Sequence, residues 1–326
     1  MDQYLGWRSI FWFLVIFAGV LLLFSSILFP ETCRAVVGDG SIPPQKWNYS
    51  LWAYLHQRRL KKRGMGIDQH RSSVQPERRR RPNPLASVLI VAEKEAGLIL
   101  AYGALLYAGY IAVLSTLTSE LHTRYGFDSL KIGLCYLPIG CGSLTSRFTV
   151  GRLLDRNFKR HAARQGLEIV KNRQQNIDNF NIELARLQLA SPLTYLASIS
   201  IIAYGWVMEY RTPLAGPLVV LFFVGHFTTG GFSTLNTLVV DTHRETPATA
   251  TAANNLLRCL LGAGAAAVST PLINRIGIGW AGTSIAFPWV LFSPSLYAVL
   301  RWGPQWRIEK RLKTNEKMVG QTFLFS

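Results

Sequence analysis

The chain has 326 residues, of which 49% are hydrophobic and only 16% are charged, and its formal net charge is +17. Several uninterrupted apolar runs of about 20 residues each exclude an ordinary soluble fold. The basic residues fall in a few connecting segments instead of on one folded face, which argues against a nucleic-acid-binding protein. We therefore expect a lipid bilayer, and no nucleic acid, as the partner of this chain.

The apolar spans predict an all-α, polytopic membrane protein of about seven transmembrane helices. The first span is long and lacks a small-residue cleavage site, so we interpret it as a helix that stays in the protein and not as a signal peptide. The predicted spans are residues 10–29, 96–116, 130–150, 192–208, 213–240, 248–273 and 276–300.

Lysine and arginine accumulate on alternate sides of these spans. The connection after the first span, the connection between the third and fourth spans and the segment after Leu300 hold the excess. The intervening loops, residues 119–128 and 209–213, carry one arginine each. Because cytoplasmic loops hold the lysine and arginine excess, we expect the N-terminus outside and the C-terminus in the cytoplasm.

Arg258 is the most informative single residue, because a charged side chain within an apolar span is costly. At 1.5 Å per residue, its position after Pro247 places it about 15 Å into the bilayer. Two roles stay open: lining a polar cavity or pathway, and binding backbone carbonyls for packing alone. The candidate carboxylates all fall at or beyond span ends: Glu93, Glu95, Asp155, Glu209 and Asp241.

Three further polar residues lie within the predicted spans. His226 could titrate, although a neutral, hydrogen-bonded histidine is the alternative. Asn236 and Asn254 offer amide groups that could contact a substrate, or could only join two helices by hydrogen bonds. Together with Arg258 they are our candidates for a transport pathway.

No motif in the sequence supports an enzyme. There is no serine–histidine pair at a suggestive position, no Walker loop and no metal-ligand constellation, so we expect no catalytic residue, metal or cofactor. Cys33, Cys135, Cys141 and Cys259 lie in or beside apolar stretches without paired spacing, and we interpret them as buried thiols.

Two groups of segments carry a family resemblance in combination. The first group is GWRSIFW at residues 6–12, FPET at 29–32 and VVGDGS at 36–41. The second group is YGF at 125–127, GLCYLP at 133–138, GRLLDR at 151–156, NTLVVD at 236–241 and residues 248–264. Together they resemble the major facilitator superfamily, and within it the fungal drug:proton antiporter branch that includes quinidine-resistance-type exporters. The first group is similar to the family's sixth helix and central loop. The GRLLDR segment resembles the second, degenerate copy of the superfamily's cytoplasmic signature.

This resemblance implies a twelve-helix carrier with two six-helix bundles, of which the chain holds helices six to twelve. The implied parts are a first helix at 1–30, a cytoplasmic central loop at 31–90, a six-helix bundle at 91–301 with a cytoplasmic loop at 151–191, and a cytoplasmic tail at 302–326. In this arrangement we expect the following residues to gate the cytoplasmic side: Gly151, Arg152, Asp155, Arg156 and Asp241.

The implied function is multidrug efflux: export of a small organic compound across the plasma membrane by alternating access, with protons as the counter-transported ion. The substrate could be a drug, a cation or a fungal metabolite. The alternatives are a fragment that does not transport, because five helices of the family would be missing, and, more remotely, a seven-helix receptor. A long basic connection and the absence of a lysine in the last span argue against the receptor.

Overall fold

The structure, a computed structural model, describes residues 6–29, 50, 54–55, 58–59, 85–166, 180–244 and 246–324. These residues form helices and no strand. Over them, six helices are long and apolar enough to cross a membrane. The chain is an all-α polytopic membrane protein, which confirms the predicted fold class.

The chain divides into two compact units, residues 1–82 and 83–326. The first unit contains helix α1, Trp7–Leu28, whose apolar side chains are exposed on all sides, with none of them buried. A helix that is hydrophobic all round and 22 residues long has the length and composition of a membrane span.

The second unit is a helical bundle. Its helices are α2 (Leu85–Ala92), α3 (Lys94–Tyr125), α4 (Ser129–Cys135), α5 (Leu137–Arg164), α6 (Ile182–Glu209), α7 (Ala215–Thr242), α8 (Pro247–Ile276), α9 (Ile278–Leu291) and α10 (Pro294–Leu324). Helices α3 and α7 pack against each other, α5 and α6 pack on α7, and α8 packs on α3. This order places α3 beside α7, with α5 on α7 and α8 on α3. The candidate pathway residues lie on α7 and α8.

Two predicted spans contain breaks. The span at 130–150 is divided at Tyr136 into α4 and α5, because Pro138 begins the second helix and removes a backbone donor there. The last span, 276–300, is divided at Phe292 and Ser293, directly before Pro294. Helix α5 also continues to Arg164 and is charged over that extension. It is not among the six apolar helices.

Helices extend into several of the predicted connecting segments. Much of the 151–191 segment that we expected as a loop is helical, because α5 ends at Arg164 and α6 begins at Ile182. The predicted central loop at 31–90 includes the start of α2, whose apolar sequence favours a helix, and the predicted tail at 302–326 continues α10 as far as Leu324. Most of the central loop and residues 167–179 lie outside the described residues.

The cysteines differ from the prediction. Cys135 is buried, but Cys141 and Cys259 are exposed, and Cys33 lies outside the described residues. Both exposed thiols lie on helix faces turned away from the packed core, where a bilayer rather than water can surround an apolar side chain.

Candidate functional site

The candidate site lies near the middle of the bundle and has three layers, each about one helical turn, or roughly 5 Å, from the next. We refer to its two directions by their acidic residues: the Asp241 end, which also holds Glu93 and Glu183, and the Glu209 end, which also holds Glu120. Helices α5 and α7 run toward the Asp241 end, and α3 and α8 run away from it.

The arginine layer consists of Arg258, Tyr107 and Phe232. The guanidinium carbon of Arg258 on α8 lies 4.7 Å from the ring centroid of Tyr107 on α3 and 5.8 Å from that of Phe232 on α7. The two rings are themselves 5.8 Å apart. Three helices therefore contribute to one cation–π cluster, which stabilises a charged group by the electron-rich faces of the rings.

Arg258 is half-buried, and none of the described carboxylates forms an ion pair with it. Its Nε is shielded from solvent and has no hydrogen-bond partner among the described residues. The sequence left open that Arg258 binds backbone carbonyls for packing. The described contacts include no such hydrogen bond. A guanidinium held by ring faces keeps its terminal N–H groups available for a planar acceptor such as a carboxylate.

The hydroxyl layer lies one turn toward the Glu209 end. The Thr229 hydroxyl donates to the Ser143 Oγ at 3.0 Å, and the Tyr110 hydroxyl lies 3.5 Å from the same oxygen. Tyr110 follows Tyr107 by three residues and Thr229 precedes Phe232 by three, so both layers share the same faces of α3 and α7. The three hydroxyl residues are half-buried.

The amide layer lies one turn toward the Asp241 end. The Asn254 Nδ2 donates to the Asn236 Oδ1 at 2.7 Å and so joins α8 to α7. Both side chains line a cleft with Gly103, Phe232 and residues of α3, and this cleft is too narrow to admit a water molecule. The amides of these two asparagines bond to each other here, as the packing alternative predicts.

His226 lies beside the site on the α5-facing side of α7. Its Nδ1 is 3.1 Å from the Thr145 hydroxyl, and its Nε2 is 3.4 Å from the Thr149 hydroxyl. Its ring stacks on Phe222. The described residues bring no carboxylate to this histidine.

The predicted gating residues do not come together. Asp241 is held by Arg186 of α6, whose Nε and Nη2 lie 3.1 Å and 2.9 Å from Oδ2. Arg152, Asp155 and Arg156 are exposed on α5, and none forms an ion pair with a described residue. Gly151 is half-buried, with open space where a β-carbon would lie.

The Asp241 end is also crossed by a second charged network that the sequence did not predict. The Glu93 carboxylate accepts from Lys310 at 2.7 Å and lies 2.9 Å from the His243 Nε2. Burial alone would raise the pKa of Glu93, but the hydrogen bonds from His243 and Lys310 outweigh it, and the pKa is lowered. The start of α3, the end of α7 and α10 are thereby tied together.

Sequence reasoning missed Tyr107, Phe232 and Arg147. Aromatic residues are frequent in these spans, so nothing in the sequence singled out the two rings that contact Arg258. Arg147 lies inside the predicted span 130–150, and its charge was the available signal. Its side chain is exposed and has no hydrogen bond or ion pair with any part of the chain that the structure describes.

Comparison with known proteins gives the family. Residues 1–267 match the Major Facilitator Superfamily. The chain is 45% identical to the MFS-type transporter R5 of a Phoma species and 45% identical to the MFS-type transporter clz19 of Cochliobolus lunatus, in each case over 94% of this chain and 57% of the relative. It is 33% identical to Citrate exporter 1 of Aspergillus niger, over 95% of this chain and 59% of that protein.

The chain thus spans somewhat more than half the length of these curated relatives. No solved structure matches it. The extent of the family match and the identity to several transporters support the same assignment as the helical bundle. The chain belongs to the major facilitator superfamily.

Proposed function

We propose that this chain takes part in the export of a small organic compound by alternating access, and that its bundle contributes one side of the substrate pathway. The observation that carries the proposal is Arg258, a half-buried guanidinium near mid-depth that is held by two rings and is bonded to none of the described carboxylates. An arginine placed in this way belongs in a polar cavity, because exposure to lipid is costly. In carriers built from two bundles, such a cavity lies at the midplane between them.

The names of the relatives support transport. Two are MFS-type transporters and one is a citrate exporter. The function we infer for this chain is therefore the outward transport of a small molecule. We further propose proton-coupled antiport of the drug-exporting type, on the strength of the branch resemblance. Among the described residues the carboxylates lie toward the ends of the helices, so the proposed proton carrier is not among the residues around Arg258.

We also propose a location and orientation: the plasma membrane, with the N-terminus outside and the C-terminus in the cytoplasm. The support is the distribution of lysine and arginine described above. In this orientation the Asp241 end is cytoplasmic, and its ion pairs are the contacts that must separate when the cytoplasmic side opens. Asp241 remains in the proposed gate, now with Arg186 as its partner.

A chimera tests the proposed function. The part of Citrate exporter 1 that precedes the matched region is joined to this chain, and citrate efflux is measured from cells that express it. We expect efflux above that of cells with an empty vector, and its loss in Arg258→Ala at equal membrane abundance. Efflux that is unchanged in Arg258→Ala would remove this arginine from the pathway.

The second candidate is that the chain by itself does not transport. A single six-helix body offers a substrate no second gate, and the chain spans 57% of its relatives R5 and clz19. Vesicles that contain only this chain should therefore show no gradient-driven uptake of cationic dyes, drugs or organic acids. Saturable, proton-dependent uptake by the purified chain would contradict this expectation.

A further inference from the structure

Arg147 lies at the same level of the bundle as Arg258. It follows Ser143 on α5 by four residues and so lies one turn toward the Asp241 end from the hydroxyl layer, on the same face of the helix. The arginine layer lies one turn from the hydroxyl layer in that same direction. Two helices, α5 and α8, therefore each place a guanidinium beside the layered site.

Within the part of the chain that the structure describes, no carboxylate compensates the charge of these two arginines. The described carboxylates of the bundle lie toward its ends or on the exposed part of α5: Glu93, Glu95, Glu120, Asp128, Asp155, Glu183, Glu209, Asp241 and Glu309. Arg147 and Arg258 form no ion pair with any of them. Two unpaired positive charges repel a cationic substrate and attract an anionic one, and the attraction is stronger where water is excluded.

The chemistry around the two arginines also selects the ligand. A guanidinium matches the planar, two-oxygen geometry of a carboxylate. The hydroxyl layer beside the two arginines offers hydroxyl groups to further oxygen atoms, and the rings of Tyr107 and Phe232 hold Arg258 in place without neutralising it.

From this arrangement we infer that the site takes an organic polyanion, a compound with at least two carboxylates, bound between Arg147 on α5 and Arg258 on α8. This inference rests on the proposed function for its place in a transport cycle, and it narrows the substrate class from drugs, cations or metabolites to organic acids. One carboxylate binds at Arg258, and a second binds at Arg147.

Equilibrium binding to the purified chain in lipid nanodiscs tests the inference without any need for transport. The probes are succinate and adipate, which are dicarboxylates of different length, benzoate as a monocarboxylate, succinamide as an uncharged analogue of succinate, and tetraphenylphosphonium as a cation. We expect saturable binding of at least one dicarboxylate, and no measurable binding of succinamide or tetraphenylphosphonium.

The variants separate the two arginines. Arg258→Gln should weaken both the dicarboxylate and benzoate by about tenfold or more, whereas Arg147→Gln should weaken the dicarboxylate by a similar factor and leave benzoate nearly unchanged. Arg160→Gln removes an exposed arginine further along the same helix, and it should change neither affinity. Arg258→Lys and Arg147→Lys keep the positive charge and should retain part of the binding. This result would show that the loss in the glutamine variants comes from the missing charge and not from misfolding.

Three outcomes would contradict parts of the inference or of the proposed function. If neither dicarboxylate binds the wild-type chain, or if tetraphenylphosphonium binds more tightly than both, the polyanion inference is wrong. If Arg147→Gln behaves like Arg160→Gln, the second carboxylate does not bind at Arg147. If dicarboxylates bind as expected but the chimera exports nothing, the site stands and the proposed function fails.

Discussion

Two aromatic rings hold Arg258, and this contact makes a prediction at the scale of single residues. Tyr107 forms no hydrogen bond through its hydroxyl group among the described residues, so its contribution to Arg258 comes from the ring. Tyr107→Phe should therefore preserve dicarboxylate binding, whereas Tyr107→Leu should weaken it by a factor of about 5 to 30, as expected for the loss of a cation–π contact of about 1–2 kcal/mol.

Both variants are measured in the same nanodisc titration, at a temperature at which they and the wild type are equally folded. Equal binding by Tyr107→Leu and the wild type would mean that the ring does not position the arginine. A loss in Tyr107→Phe as large as the loss in Tyr107→Leu would transfer the role from the ring face to the hydroxyl group.

The residue scale also shows what sequence alone can supply about a site. Arg258 was predictable because one charge in an apolar run stands out at any depth. Tyr107 and Phe232 were not predictable, because they are separated along the chain and become neighbours only through the packing of α3 against α7. Arg147 was visible in the sequence but lay close to a run of arginines that suggested the end of the span.

At the scale of helices, α5 and α7 approach closely through glycine. A β-carbon on Gly142 would collide with the backbone carbonyl of Phe222, whereas a β-carbon on Gly140 would meet open space. Gly142→Ala should therefore lower the stability of the bundle by about 1–3 kcal/mol. Gly140→Ala, two residues away on the same helix, should be neutral or stabilising by up to about 1 kcal/mol.

Thermal unfolding of the purified chain in detergent compares the two alanine variants directly. If Gly142→Ala and Gly140→Ala unfold at the same temperature, the close approach of α5 and α7 is not a constraint on the fold. The pair also probes the site, because α5 carries Ser143 and Arg147 next to this contact.

The ends of the helices carry a pH-dependent prediction. Because the pKa of Glu93 is lowered below its usual value of 4.5, the stability that this carboxylate contributes is present above about pH 4.5 and is lost as the pH falls through the lowered pKa. Glu93→Gln should cost up to about 1 kcal/mol at neutral pH, since the group is partly exposed, and should remove this part of the acid dependence.

Unfolding temperatures of the purified chain between pH 7 and pH 3 measure this effect. Glu309→Gln is the matched control, because Glu309 is exposed on α10 and forms no ion pair with a described residue. An identical acid dependence in Glu93→Gln and in the wild type would show that the contacts with His243 and Lys310 do not stabilise the bundle.

Helix positions were largely predictable from sequence, whereas helix ends and breaks were not. Hydropathy located the spans, because a bilayer requires a minimum apolar length. It did not locate the break at Tyr136 or the extension of α5 to Arg164, because the extension carries charges that a hydropathy pattern assigns to loops. The contacts of Asn157 with Ala185 and of His161 with Gln188 stabilise that charged extension against α6.

At the scale of the whole molecule, the distribution of positive charge predicts which loops face the cytoplasm. With Cys33, Cys135, Cys141 and Cys259 replaced by serine, a single cysteine at His70 should be protected from a membrane-impermeant thiol reagent in intact cells. A single cysteine at Thr123, which is exposed near the Glu209 end, should react under the same conditions.

Both cysteines should react once the membrane is permeabilised, which controls for accessibility. Labelling of the cysteine at position 70 in intact cells would reverse the proposed orientation. The Asp241 end would then face the outside, and its ion pairs would belong to an extracellular gate.

The two unpaired arginines also make the site sensitive to the membrane potential. A guanidinium carries one positive charge, so Arg147 and Arg258 together place two positive charges at the site. In the proposed cycle a dicarboxylate neutralises both charges, and the empty site carries them alone. A membrane potential acts on each charge that crosses the whole field with about 2.3 kcal/mol per 100 mV. The voltage-dependent step is therefore the return of the carrier after the dicarboxylate has left, and export by the chimera at saturating substrate should still change with the applied potential.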